Sequence, residues 1–135
     1  MEILWQRRVK KIRQARQIKK EPPDGNIEYK WKLCSLDNEE RIDRLITQMN
    51  YRLYEGNGKA IYNLGYTDDG EPIGIPYDHL YDNLKLFHKM IDSIGANLRS
   101  LNVLQGKNGY CANIFIEISQ PDFDILLEDF YTFNN

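Results

Sequence analysis

The chain has 135 residues and two cysteines, and 41% of its residues are hydrophobic. That is enough for one domain with a real core. Two histidines and two well-separated cysteines, Cys34 and Cys111, give no metal-ligand spacing, so a metal site is not expected. The net charge of −2 hides a split: residues 1–20 carry eight Lys/Arg against Glu2, whereas the remainder carries ten against nineteen Asp/Glu.

Such a split implies a basic arm meant for a polyanion, attached to an acidic body. No leader-like segment and no apolar run near 18 residues is visible, so a cytoplasmic protein with no membrane span is expected, both cysteines being buried thiols on strands. Usage leaning to Asn, Ile, Tyr and Lys fits a large DNA virus or a low-GC microbe.

In chain order, Glu2 to Lys20 lacks Gly and Pro and reads as a helix, with Met1, Trp5, Val9 and Ile12 forming a narrow apolar stripe. The cations Arg7, Arg8, Lys10, Lys11, Arg13, Arg16, Lys19 and Lys20, together with Trp5, are the candidate nucleic-acid-binding residues: cations neutralise phosphates and the indole stacks or anchors. The plainer alternative is a solvated helix docked on the body through its stripe. This arm occupies residues 1–21. Pro22-Pro23-Asp24-Gly25 makes a stiff hinge over 22–25.

Ile27 to Leu33 alternates, with Ile27, Tyr29, Trp31 and Leu33 on one face, as a half-buried strand does. A helix then follows a cap at Ser35 or Asp37, burying Ile42, Leu45, Ile46, Met49 and Leu53 and stopping at Gly56. Ala60 to Tyr66, the Thr67-Asp68-Asp69-Gly70 turn and a return to Ile75 read as a first hairpin. Pro76 leads into a second helix with Leu80, Leu84, Phe87, Met90 and Ile91 inward and Gly95 as its stop; His79 and His88 on it do not share a face. Leu98 to Leu104 and Tyr110 to Ile118, joined at Gly106-Lys107-Asn108-Gly109, form a second hairpin. The expectation is an α+β domain over residues 26–120: an antiparallel sheet of two hairpins plus one strand, covered by two helices, preceded by the basic N-terminal helix. Residues 121–135 are an acidic aromatic tail with Asp122, Asp124, Glu128 and Asp129.

Ile27-Glu-Tyr-Lys-Trp-Lys-Leu33, Leu45-Ile-Thr-Gln-Met49, Arg52-Leu-Tyr-Glu-Gly-Asn-Gly-Lys-Ala-Ile-Tyr62, Gly65, and Asp69-Gly70 through Gly74-Ile75 resemble the N-terminal region of the GTP-binding protein 1 and 2 family of translational GTPases. The resemblance covers roughly residues 26–120 and implies engagement with RNA, a ribosome or a protein of the translation machinery. GTP hydrolysis does not carry over, because Gly56-Asn-Gly-Lys59 lacks the GxxxxGK[ST] phosphate loop, and no cofactor is expected.

A weaker similarity, to the AlbA-like core of Schlafen proteins, implies a metal-dependent endoribonuclease acting on tRNA or rRNA, with Mg²⁺ or Mn²⁺ held by carboxylates. The candidates are Glu28, Asp24, Asp68 and Asp69. Against that, Glu28 faces solvent between Ile27 and Tyr29, and Asp68 and Asp69 merely shape the turn. The leading reading is therefore a non-catalytic RNA- or ribosome-binding module. A protein-interaction or viral structural component stands as a further alternative.

Overall fold

A computed structural model describes residues 12–33 and 37–119. Six elements follow in order: β1 (Ile27–Lys30), α1 (Glu39–Glu55), β2 (Lys59–Leu64), α2 (Tyr77–Ile94), β3 (Asn97–Gly106) and β4 (Gly109–Glu117). The α+β class is as the sequence implies, with two helices against one sheet. The sheet, however, is mixed. Its strand order is β1-β2-β4-β3, with β1 parallel to β2 and the other two pairs antiparallel.

Helix α1 opens at Asn38, whose Oδ1 accepts from the Arg41 N–H at 3.1 Å, and Glu39 and Glu40 lie in the positive field of its first turn. The cap is thus Asn38 rather than Asp37 or Ser35. Gly56 ends α1, and Gly95, at φ 73°, ends α2. Ile42, Leu45, Met49 and Leu53 of α1, and Leu80, Leu84, Phe87, Met90 and Ile91 of α2, are buried as their spacing requires. They meet Ala60, Tyr62 and Leu64 of β2 and Ala112, Ile114 and Ile116 of β4. Tyr62 and Phe87 pack edge to face at 5.1 Å.

The second hairpin forms as read. The first does not. The Thr67 to Gly70 turn closes through Gly70 N–H to Thr67 O at 2.9 Å, and Gly74 N–H reaches Gly65 O at 2.8 Å. Beyond that the returning segment finds no place beside β2, because both edges of β2 are taken by β1 and β4. It lies instead on the β3–β4 turn: Ile75 exchanges two hydrogen bonds with Tyr110, and Asn108 N–H donates to Ile73 O. A Cβ on Gly74 would stand 2.7 Å from the Gly109 carbonyl carbon, so this backbone contact requires glycine.

Strand β1 also ends earlier than its alternation implies. Trp31 is 48% exposed with its indole N–H donating to Gly74 O, while Leu33 joins the core under the helices.

Candidate nucleic-acid interface

Residues 12–21 are not helical. They cross the sheet face opposite the helices, from the outer edge of β3 to β1. Gln14 makes a parallel bridge to Gln105, Ile18 N–H donates to Gly70 O at 3.0 Å, and Glu21 N–H donates to Asp68 O at 2.7 Å. Gln17 Nε2 donates to Asp69 O, and the Tyr29 hydroxyl donates to Lys19 O at 2.6 Å. Ala15 and Ile18 cover Tyr66, Cys111 and Leu104. This corrects the second half of the expected N-terminal helix. Helix formers there satisfy their backbone against the body rather than within a helix, tertiary contacts outweighing a propensity of a few tenths of a kcal/mol per residue. Trp5, Arg7, Arg8, Lys10 and Lys11 lie outside the described residues, as do residues 120–135 and Cys34.

Arg13, Arg16, Lys19 and Lys20 are all exposed along this crossing segment. Between it and the sheet runs an open groove of about 520 Å³, with Gln17 to Lys20 and Pro22 as its wall and Ile27, Tyr29, Ile61 and Asn63 as its floor.

The carboxylates are arranged otherwise than expected. Glu28 is buried, not solvent-facing, with 2% of its surface exposed: β1 is covered by α1 on one side, so its alternation separates two buried faces. Its Oε1 accepts from Arg52 Nε at 2.8 Å, and its Oε2 lies 3.5 Å from Lys30 Nζ. Arg52 also donates to Gly25 O and lies 3.9 Å from Glu21 Oε2, the atom that accepts the Tyr29 N–H. The Tyr62 hydroxyl, buried and without a partner among the described residues, is pushed upward in pKa by burial and then by Glu28. Asp24 accepts from Tyr51, and Asp68 and Asp69 sit exposed on the turn beneath the arm. Glu28, Asp24, Asp68 and Asp69 are therefore not brought together. No group of three His, Cys, Asp or Glu side chains among the described residues is placed to hold a metal ion. His79 and His88 are exposed, the latter 3.3 Å from Asp92.

Sequence reasoning missed the pairing of Arg52 with Glu28 and Glu21. Arg52 lies seven residues after Leu45 and three after Met49, on the inward stripe of α1, and a cation there calls for a buried acid. Desolvation raises the Glu21 pKa above its ordinary value, Glu28 adds to the rise, and the Tyr29 N–H opposes it. The folded chain then holds the Glu21 proton more tightly than the unfolded one, so this group's contribution to stability falls as pH rises from the ordinary value through the folded one. Replacing Glu21 with Gln is expected to flatten that acid-side slope in urea melts; an unchanged slope would show that Glu21 does not titrate differently on folding.

The glycines at 56 and 58 close a helix rather than open one. Gly56, Asn57, Gly58 and Lys59 direct their N–H groups at Arg52, Tyr54, Leu53 and Gly56 carbonyls, respectively. A phosphate loop needs free N–H groups at a helix N-terminus, and these are neither.

No family model matches the chain. Over 81 residues, 60% of its length, it is 41% identical to GTP-binding protein 2 of human and of mouse. The chain shares a segment with GTP-binding protein 2. That segment is 13% of the length of the curated relative, consistent with a match to the N-terminal region of the GTP-binding protein 1 and 2 family. An uncharacterized protein of Acanthamoeba polyphaga mimivirus is 29% identical over 110 residues, 81% of this chain and 59% of that protein. No helix among the described residues is long and apolar enough to cross a membrane.

Proposed function

We propose that this chain is a non-catalytic RNA- or ribosome-binding module linked to translation, acting in the cytoplasm and anchored by the basic segment ahead of β1. The kinship with part of a GTP-binding protein supports the link to translation. The observation that carries the reading is the crossing segment: it is pinned to the body by its backbone, so its side chains Arg13, Arg16, Lys19 and Lys20 are left pointing outward as a fixed row of cations. Phosphates neutralised by such a row release counterions, and binding becomes steeply salt-dependent.

Converting all four to Glu leaves the backbone bonds of the segment in place and is expected to abolish co-sedimentation with ribosomes. For a labelled single-stranded RNA, about four lost phosphate contacts lower the slope of log K against log salt by about 3. With the full set of eight cations engaged, the unaltered chain should lose on the order of 10³-fold in affinity between 50 and 200 mM salt. Wild-type sedimentation and slope in the fourfold variant would refute the reading.

A further inference from the structure

The face of the sheet left open beside the crossing segment has an order that only the strand register reveals. Ile27 pairs with Ile61, Ile61 with Phe115, and Phe115 with Ser100, forming an apolar row across β1, β2 and β4 that ends on a serine of β3. The next row is Tyr29, Asn63, Asn113 and Asn102, of which Tyr29 and Asn63 are buried and Asn113 and Asn102 reach the surface. Asn113 Nδ2 donates to Asn63 Oδ1 at 2.9 Å and to the Tyr66 hydroxyl at 3.2 Å, which fixes both amides. Asn113 Oδ1, Asn63 Nδ2 and the Asn102 amide make no further hydrogen bond among the described residues.

Cations border this face on two sides. Lys19 and Lys20 stand on the arm beside the groove. At the far end, Glu117 accepts from Arg99 at 2.8 Å and lies 3.9 Å from Lys59, so two cations outweigh one carboxylate.

An apolar and aromatic row, a row of oriented amides and flanking cations are the three elements that hold unpaired bases on a sheet: the rings stack, the amides meet base edges and the cations take phosphates. We infer that this open face docks single-stranded RNA, with bases over Ile61 and Phe115, their edges toward Asn113 and Asn102 and the backbone toward Lys19 and Lys20. The inference rests on the RNA-binding reading and names the form of RNA and the surface that receives it. A duplex, whose bases are stacked and paired, cannot use the apolar row.

The test uses the full chain, a fluorescein-labelled U-rich 10-mer and a duplex of the same length, read by anisotropy. Ile61 is 37% exposed, so Ile61→Glu places a charge on the face without entering the core. Phe115→Ala removes the stacking ring. Each is expected to weaken single-strand binding roughly tenfold or more, Phe115→Ala at an unchanged salt slope, while Ile61→Val binds normally and the duplex binds more weakly than the single strand throughout. Variants that keep the wild-type urea midpoint and wild-type affinity would overturn the inference, as would equal affinity for duplex and single strand. If those two variants bind normally while the fourfold arm variant does not, RNA binding stands and the open face is excluded. If the unaltered chain binds neither RNA, the inference falls, and the RNA- or ribosome-binding reading is then decided by ribosome co-sedimentation alone. Sedimentation velocity separates another occupant: a dimer that Ile61→Glu splits would assign the face to a second copy and would also overturn the inference.

Discussion

Replacing Arg52 with Ala is expected to destabilise the domain by about 3–5 kcal/mol, a large part of the stability of any small domain. The side chain is 7% exposed and the Glu28 carboxylate 3%, so the truncation leaves a buried negative charge with Lys30, 3.5 Å from its other oxygen, as its remaining cation among the described residues. The Gly25 carbonyl and the Glu21 carboxylate lose their cation as well. Adding Glu28→Gln should recover part of the loss, because the buried group is then neutral. The contrast is Arg44, whose pair with Glu40 is 63% and 85% exposed; Arg44→Ala should cost no more than about 0.5 kcal/mol. Urea denaturation of the four proteins decides the matter. A loss below about 1 kcal/mol for Arg52→Ala would mean that water or a shifted neighbour relieves Glu28.

The second large effect is local. A Cβ on Gly70 would stand 2.1 Å from the Ile18 carbonyl oxygen and 2.7 Å from that of Lys19. The residue also holds φ at 87°, where an L side chain costs about 1–2 kcal/mol. Gly70→Ala is therefore expected to drive the crossing segment off the sheet while the helix-covered core keeps its packing. Trypsin cleavage at Arg16, Lys19 and Lys20 should accelerate by about an order of magnitude or more, since loss of several backbone bonds and the Ala15 and Ile18 contacts amounts to more than the about 1.4 kcal/mol that separates decades. The far-UV spectrum should hardly change. Cleavage at the wild-type rate would mean that the segment is not held by this contact.

How far the sequence foretold these features depends on what each element's neighbours are. The two helices were legible because Ile42, Leu45, Met49 and Leu53, and Leu80, Leu84, Phe87 and Met90, repeat at helical spacing, and burial of one stripe needs no knowledge of the partner. Strand pairing was not. Alternation assigns faces but not neighbours, so the parallel match of Ile27 with Ile61 was hidden, and the return after Asp69-Gly70 looked like a strand until both edges of β2 proved occupied.

Over residues 12–20 the sequence points to a helix because Arg, Lys and Gln favour helices, while the Gln105, Gly70 and Asp68 carbonyls that capture the N–H groups of this segment are distant in sequence. Of the candidate interface, the cations Arg13, Arg16, Lys19 and Lys20 could be named from composition. Asn63, Asn113, Ile61 and Phe115 could not, since they become one surface only through the register. Glu28 was read as facing water because a residue between Ile27 and Tyr29 does so on a sheet with one covered side; here Arg52, arriving from α1, makes that side an interior.

The Cys111 thiol lies beneath Ala15 and Ile18, fully covered, with its Sγ 3.5 Å from Gly65 O. Burial pushes its pKa up to about 11, so the closed chain presents almost no thiolate to a reagent. Lifting the crossing segment removes cover and desolvation together. The alkylation rate of Cys111, in a Cys34→Ser background, is thus a direct gauge of how often the segment leaves the sheet: with fast reclosure, the ratio of observed to free-thiol rate equals the open fraction. The fold carries its own probe for a motion that would uncover its Tyr66 end, and any ligand bridging arm and sheet will slow that reaction in proportion to its occupancy.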